Sequence, residues 1–211
     1  MNARFWFSGF VAVLVLLTSC MADFDRHRVD FTEGPLAFHF EAEGLELPPG
    51  ALVEDPGACR VAELDCLEPP CSLQPTAVLW ADVDVDHAYS EELLRIDSVS
   101  LEELAAILTA RDLNVWIEQL RILWAPSTST ILDARELAVV GPIEPDRVTG
   151  SLDPVLSQEG MDGLESHLVD DSRFRVFVEL TSSLEPGSPC PEGDLDLELL
   201  LRFLLTGEPR L

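Results

Sequence analysis

The sequence predicts a mainly β protein, an antiparallel sandwich carrying one or two short helices, on three observations. Apolar and polar residues alternate with a period of two in several separate runs, the mark of half-buried strands. The stretches between those runs hold much of the chain's 15 Pro and 12 Gly, which read as connections and turns. Helical spacing appears in only a few short windows, too little for a helical or an alternating α/β architecture.

The elements follow in order. Residues 21–34 are charged and aperiodic and read as a tether. "PLAFHFEAEGLEL" then alternates, with Leu36, Phe38, Phe40 and Ala42 on one face and His39, Glu41 and Glu43 on the other, so a strand with His39 toward solvent is expected. Residues 48–75 hold six prolines and three cysteines and read as a loop. In "AVLWADVDVD", Ala77, Leu79, Ala81, Val83 and Val85 fall on one face and Val78, Trp80, Asp82, Asp84 and Asp86 on the other: a second strand. "YSEELLRI" suggests a short helix capped by Ser90. Leu101, Leu104, Ala105 and Leu108 have helical spacing behind a Ser100/Glu103 capping box, which predicts a helix over 101–110. Residues 113–124 fit a helical stripe as well, but Val115, Trp116, Ile117, Ile122 and Trp124 favour a strand, which Pro126 would end. A polar turn "APSTST", an apolar run "ELAVVG" and turn chemistry in "GPIEPDRVTG" follow. Asp153-Pro154 can open a helix with Leu156, Gly160, Leu164 and Leu168 along one side, and Gly160 and Gly163 make it dependent on packing. "RFRVFVEL" and "DLDLELLLRFLL" are two further alternating strands, the second putting Leu195, Leu197, Leu199, Leu201 and Phe203 inward.

The N-terminus carries an address. Arg4, an apolar stretch from Phe5 to Leu17 and small residues before Cys20 have the three-part layout of a secretory signal. Leu17-Thr18-Ser19-Cys20 resembles the lipobox of bacterial lipoproteins. That resemblance implies cleavage before Cys20, a diacylglycerol on its sulfur and a further acyl chain on the new N-terminus. Met21, where an aspartate would retain such a protein at the inner membrane, implies the outer membrane. From "LRILWAP" through "LAVVGPIEP" to "FRVFVEL" and "LDLELLLRF", the mature part also resembles the immunoglobulin-like sandwiches of late-embryogenesis-abundant and water-stress proteins. This second resemblance implies an immunoglobulin-like sandwich and makes residues 99–110 a strand, against their helical spacing. The expected organisation is a signal peptide over 1–19, the acylated cysteine and tether over 20–34, and one sandwich domain over 35–211.

Apart from Cys20, the cysteines are Cys59, Cys66, Cys71 and Cys190, an even set suited to an oxidising compartment. Each complete pairing ties Cys190 to one of the other three. Zinc is the competing use, but no C-x-x-C pair is present. If Cys190 pairs with Cys71 and both following strands run outward, Arg202 comes level with Val83 and faces the aspartates there.

A formal charge of −26 repels nucleic acid and anionic headgroups, so neither is an expected partner. Asp82, Asp84 and Asp86 suggest a calcium site. The EF-hand template nevertheless fails at His87, where it needs glycine, and at Leu93, where it needs a bidentate glutamate. What remains is calcium shared across a flat strand face. No nucleophile motif, zinc-protease motif or phosphate loop is present, and the expectation is no enzyme, a hydrolase being disfavoured. Trp80, Trp116 and Trp124 are either core or a contact patch for sugar or protein, Trp116 and Trp124 sharing a face if their segment is extended. The reading is a lipid-anchored, non-catalytic interaction or structural module of the cell envelope with no cofactor. Its partners are the membrane and an envelope protein or glycan. The alternative is a calcium- or carbohydrate-binding module.

Overall fold

In the computed structural model, described over residues 26–42, 53–54, 60–61, 74–85, 93–184 and 191–210, the leucine-rich C-terminal segment is the organising strand. Taking β1 as His27–Glu41, β2 as Val53–Glu54, β3 as Arg60–Val61, β4 as Thr76–Asp84, β5 as Leu93–Arg111, β6 as Trp116–Pro126, β7 as Arg135–Val140, β8 as Gly150–Leu152, β9 as Val155–Leu156, β10 as Arg173–Ser183 and β11 as Asp194–Pro209, two antiparallel sheets form. One has the order β1-β11-β5-β8 and the other β4-β10-β6-β7-β9, with β2 and β3 paired separately. Among the described residues one α-helix, α1 (Gln158–Asp170), packs against β5, β6 and β7. The expected mainly β antiparallel sandwich is therefore the architecture.

β11 keeps strict alternation: Leu195, Leu197, Leu199, Leu201, Phe203 and Leu205 are all buried. Against it, β1 keeps alternation only in two halves. Val29 and Phe31 face inward in the first and Leu36, Phe38 and Phe40 in the second, because the register shifts between Glu33 and Leu36. Gly34 sits at that shift with φ +117°, and a Cβ there would lie 2.6 Å from the Leu199 carbonyl oxygen. The bulge changes which parity points inward. That is why residues 27–34, expected as part of a tether, are instead the first half of a strand.

β5 corrects two expectations. Leu93–Ile96 is strand, so "YSEELLRI" is not helical over those residues, and Ser90 lies outside the described ones. Residues 101–110 are also strand, as the immunoglobulin-like resemblance implied and the helical spacing did not. The cause is in the register: pairing with β11 shifts at four places, each leaving one β5 residue unpaired, namely Leu94, Asp97, Glu102 and Thr109. Each bulge flips the parity. The inward positions become Leu93, Ile96, Val99, Leu101, Leu104, Ala106, Leu108 and Arg111, and steps of three among them imitate a helix.

The second sheet reads as the alternation predicts. Ala77, Val83 and Val85 are buried, as are Phe174, Val176, Val178 and Leu180. Residues 113–124, expected as a strand, supply most of β6. The two inner faces meet at Phe174 and Phe203, whose rings lie edge to face at 6.3 Å, with Phe31 stacked on Phe203 at 5.3 Å. β4 pairs with β10, while β11 belongs to the other sheet, so β4 and β11 do not adjoin as a Cys71–Cys190 link suggested. Cys20, Cys59, Cys66, Cys71 and Cys190, like residues 1–25, lie outside the described residues. Among those described, no helix is long and apolar enough to cross a membrane.

The helix starts later than Asp153-Pro154 suggests. Val155 and Leu156 pair with β7 as a short edge strand, and the Ser157 hydroxyl then caps α1 by accepting from the Gly160 N–H at 3.3 Å. Gly160, Leu164 and Leu168 form the buried side. At Gly160 the helix touches β7 so closely that a Cβ would lie 1.8 Å from the Glu136 carbonyl oxygen. Ordinarily, Gly→Ala inside a helix stabilises it by about 1 kcal/mol. Here Gly160→Ala must push two backbones apart, at about 1–3 kcal/mol. Its thermal midpoint should therefore fall, by about 2–4 °C for each kcal/mol lost. Calorimetry checks this, and a raised midpoint would contradict the contact.

Candidate functional site

The alternation of β4 puts Trp80, Asp82 and Asp84 on the outer face of the second sheet, and the alternation of β10 puts Arg173 and Arg175 there too. Antiparallel register places Asp82 opposite Arg175, Asp84 opposite Arg173, and Trp80 opposite Phe177. Directly opposed residues share a face within side-chain reach. Arg175 uses that reach twice. Its Nε and Nη2 donate to the two Asp82 carboxylate oxygens at 2.8 and 3.2 Å, while its guanidinium carbon sits 4.0 Å from the Trp80 ring centroid. Hydrogen bonding to Asp82 raises the Arg175 pKa further, so the stacked group is a permanent cation. Arg173 Nε donates to Asp84 at 3.1 Å.

The result is a tryptophan held by a cation on one side and still 56% exposed. Val78, 39% exposed, follows it along the outer face of β4. Further across the sheet, Arg121 bridges Glu179 at 2.7 Å and Glu136 at 3.1 Å. Phe177, on the same outer face, is buried in a small cluster with Leu123 and Ala125, against which Ile131 and Ala134 pack. Chemically this face offers an aromatic surface, bidentate hydrogen-bonding groups and an apolar margin, the ingredients of a contact surface.

The other expected site residues fall apart. Trp124 is buried, its Nε1 donating to the Gly160 carbonyl at 2.9 Å, so it belongs to the core and not to a contact patch. Trp116 is 39% exposed and does not share Trp124's face, because the register of β6 against β10 skips Glu118 and flips the parity between them. As for calcium, Asp82 and Asp84 are each held by an arginine that an ion would have to displace, and Asp86 lies outside the described residues. No group of three or more potential ligands is placed to hold a metal among the described residues. The arginines facing these aspartates come from β10. Arg202, expected there, instead makes a two-pronged contact with Asp30 across β1 and β11. The alternation in "RFRVFVEL" put Arg173 and Arg175 on an outer face; nothing in the sequence said that β4 would be their neighbour.

On the outer face of the other sheet, His39 lies opposite Asp196, with Nδ1 and Oδ1 2.6 Å apart, and Glu41 is 3.6 Å from Nε2. The hydrogen bond to Asp196 raises the His39 pKa above the ordinary histidine value. A raised folded-state value means the pair's stabilisation is complete below the unfolded histidine pKa of about 6.5 and is lost as pH rises through the folded value. A proton NMR titration should therefore place His39 above the ordinary range, and Asp196→Asn should bring it back down. The difference in midpoint between wild type and this variant should be largest near pH 5–6 and shrink on the alkaline side.

No protein-family model matches the chain, and no curated protein matches it. Among solved structures it is similar to a chain of Desmodium yellow mottle tymovirus, at 15% identity over 71% of this chain and 97% of that one, with a TM-score of 0.27. A likeness that slight carries no argument about function.

Proposed function

We propose that this chain is a lipid-anchored module of the cell envelope that works by contact rather than by catalysis, with the outer face of β4 and β10 around Trp80 as its contact surface. The observation that carries the contact reading is Trp80 itself. Trp80 stays about half in water, stacked and oriented by the Arg175–Asp82 pair, and Val78 extends it along β4 into a polar-rimmed apolar surface of the kind that marks contact sites. Tryptophan and arginine are the side chains that most often dominate binding interfaces. The anchor rests on Cys20 and the apolar stretch before it. Several acyl chains on one residue hold a protein to a bilayer without a membrane span. The partner is an envelope protein or a glycan. A glycan is favoured by the pairing of an exposed indole with charged hydrogen-bonding groups on one face.

One experiment separates the two halves of this proposal. In cell fractionation, Cys20→Ala should move the protein from the membrane pellet to the soluble fraction. Co-sedimentation of this unanchored protein with isolated envelopes then reports the contact face alone, and adding Trp80→Ala should weaken it about tenfold or more. Retention of Cys20→Ala on the membrane would overturn the anchor. Unchanged co-sedimentation after Trp80→Ala would overturn the contact face.

A further inference from the structure

A second site, independent of the Trp80 face, lies where α1 meets the start of β7. It is an open cleft of about 530 Å³, with Ser129, Asp133, Arg135, Ser166 and His167 among its lining residues. Trp124, fixed by its bond to Gly160, forms the floor. Arg135 lies over that floor, its guanidinium carbon 5.9 Å from the ring centroid. Gly163 lets Arg135 and Trp124 pack directly against α1: a Cβ there would be 2.8 Å from Arg135 Nη1 and 3.1 Å from Trp124 Cζ2. His167 closes one side, its ring 5.5 Å from the Trp124 ring and its Nε2 donating to the Arg173 carbonyl at 2.8 Å. In the neutral ring this fixes Nδ1 as an acceptor.

Arg135 is the arginine that lines this cleft, and like Arg111 and Arg147 it has no carboxylate within ion-pair reach among the described residues. With 39 acidic residues against 13 basic ones, Arg95, Arg121, Arg173, Arg175 and Arg202 each have a carboxylate within 4.0 Å. Among the described residues, no carboxylate forms an ion pair with Arg135, although Asp133 lines the same cleft and lies only two positions away. Asp133 is instead near the Thr130 hydroxyl, at 3.3 Å. A planar, unpaired guanidinium calls for a carboxylate or similar oxyanion. The Asp133 carboxylate in the same cleft is a hydrogen-bond acceptor, so a ligand that also donates uses both groups. The Ser166 hydroxyl, which donates to the Asp162 carbonyl at 2.7 Å, is likewise left as an acceptor. A bare inorganic anion satisfies the arginine and leaves these acceptors facing negative charge.

We infer that the cleft binds a sugar acid, its carboxylate on Arg135 and its hydroxyls on Asp133, Ser129 and Ser166. The volume falls within the range of about 300–1,000 Å³ usual for small-ligand sites, enough for one or two sugar rings. Its openness to solvent makes binding weak.

The test uses protein expressed from the full coding sequence and titrated at constant ionic strength, read by tryptophan emission, since Trp124 lies under Arg135. Sodium glucuronate should give a saturable change with half-saturation on the order of 1–10 mM, the range of a shallow site with few polar anchors. Glucose, N-acetylglycine and inorganic phosphate should each bind about tenfold more weakly or not at all. Arg135→Gln should cost about tenfold in glucuronate affinity with its thermal midpoint unchanged, and Arg135→Lys should fall between. Should Arg135→Gln fail to fold, Ser166→Ala, on the exposed side of α1, serves instead, with a several-fold loss expected. Glucuronate binding no better than glucose would overturn the assignment. So would N-acetylglycine or phosphate binding equally well, or an affinity that these substitutions leave unchanged.

Discussion

The pairing of β5 with β11 is the constraint from which most of the structure follows. β11 is straight in pattern, six buried apolar side chains in strict alternation, and β1 and β5 flank it. β5 spends four more residues than β11 over the same length of ladder, and each extra residue bends and twists the strand. One consequence is at its open edge. β8 covers β5 only from Ala106 to Leu108, and beyond that α1 takes over, the Glu165 carboxylate accepting the Leu101 N–H at 2.8 Å. A backbone donor that would otherwise meet no strand is thereby satisfied.

The same strand controls the crossing between sheets. Arg111, its last residue and 5% exposed, donates to the carbonyls of Leu113, Val115, Ile143 and Glu144. Burial lowers its pKa, but an arginine starts so high that it stays charged, and a planar cation with five donors can tie four carbonyls together. These carbonyls belong to the crossover into β6 and to the segment that bridges back to Ile117. β6 then carries Trp124 beneath α1 and pairs with β10, and β10 sets the arginines against β4. The Trp80 face and the Arg135 cleft both depend on that placement.

What the sequence disclosed, and what it hid, follows from bulges. β4, β10, β11 and the second half of β1 have unbroken alternation, so their inward residues could be named in advance: Phe38, Val83, Val176 and Leu199 are all buried. Where a bulge inserts one residue, the period of two breaks. Leu101, Leu104 and Leu108 then look helical, Val29 and Phe31 look aperiodic beside Leu36, and Trp116 seems to share a face with Trp124. The candidate site was legible as chemistry on single strands, acidic and aromatic on β4 and basic on β10. It was not legible as a pair, because which strands adjoin is a property of topology. For that reason Arg202 was expected opposite the aspartates and Arg175 stands there.

The central claim, that β5 is one bulged strand and not a strand with a helix behind it, is tested most directly by backbone carbon chemical shifts over residues 93–111. The account predicts extended-strand shifts throughout, with local breaks at Leu94, Asp97, Glu102 and Thr109, and slow amide exchange where β5 pairs with β11. Continuous helical shifts over 101–110 would contradict it.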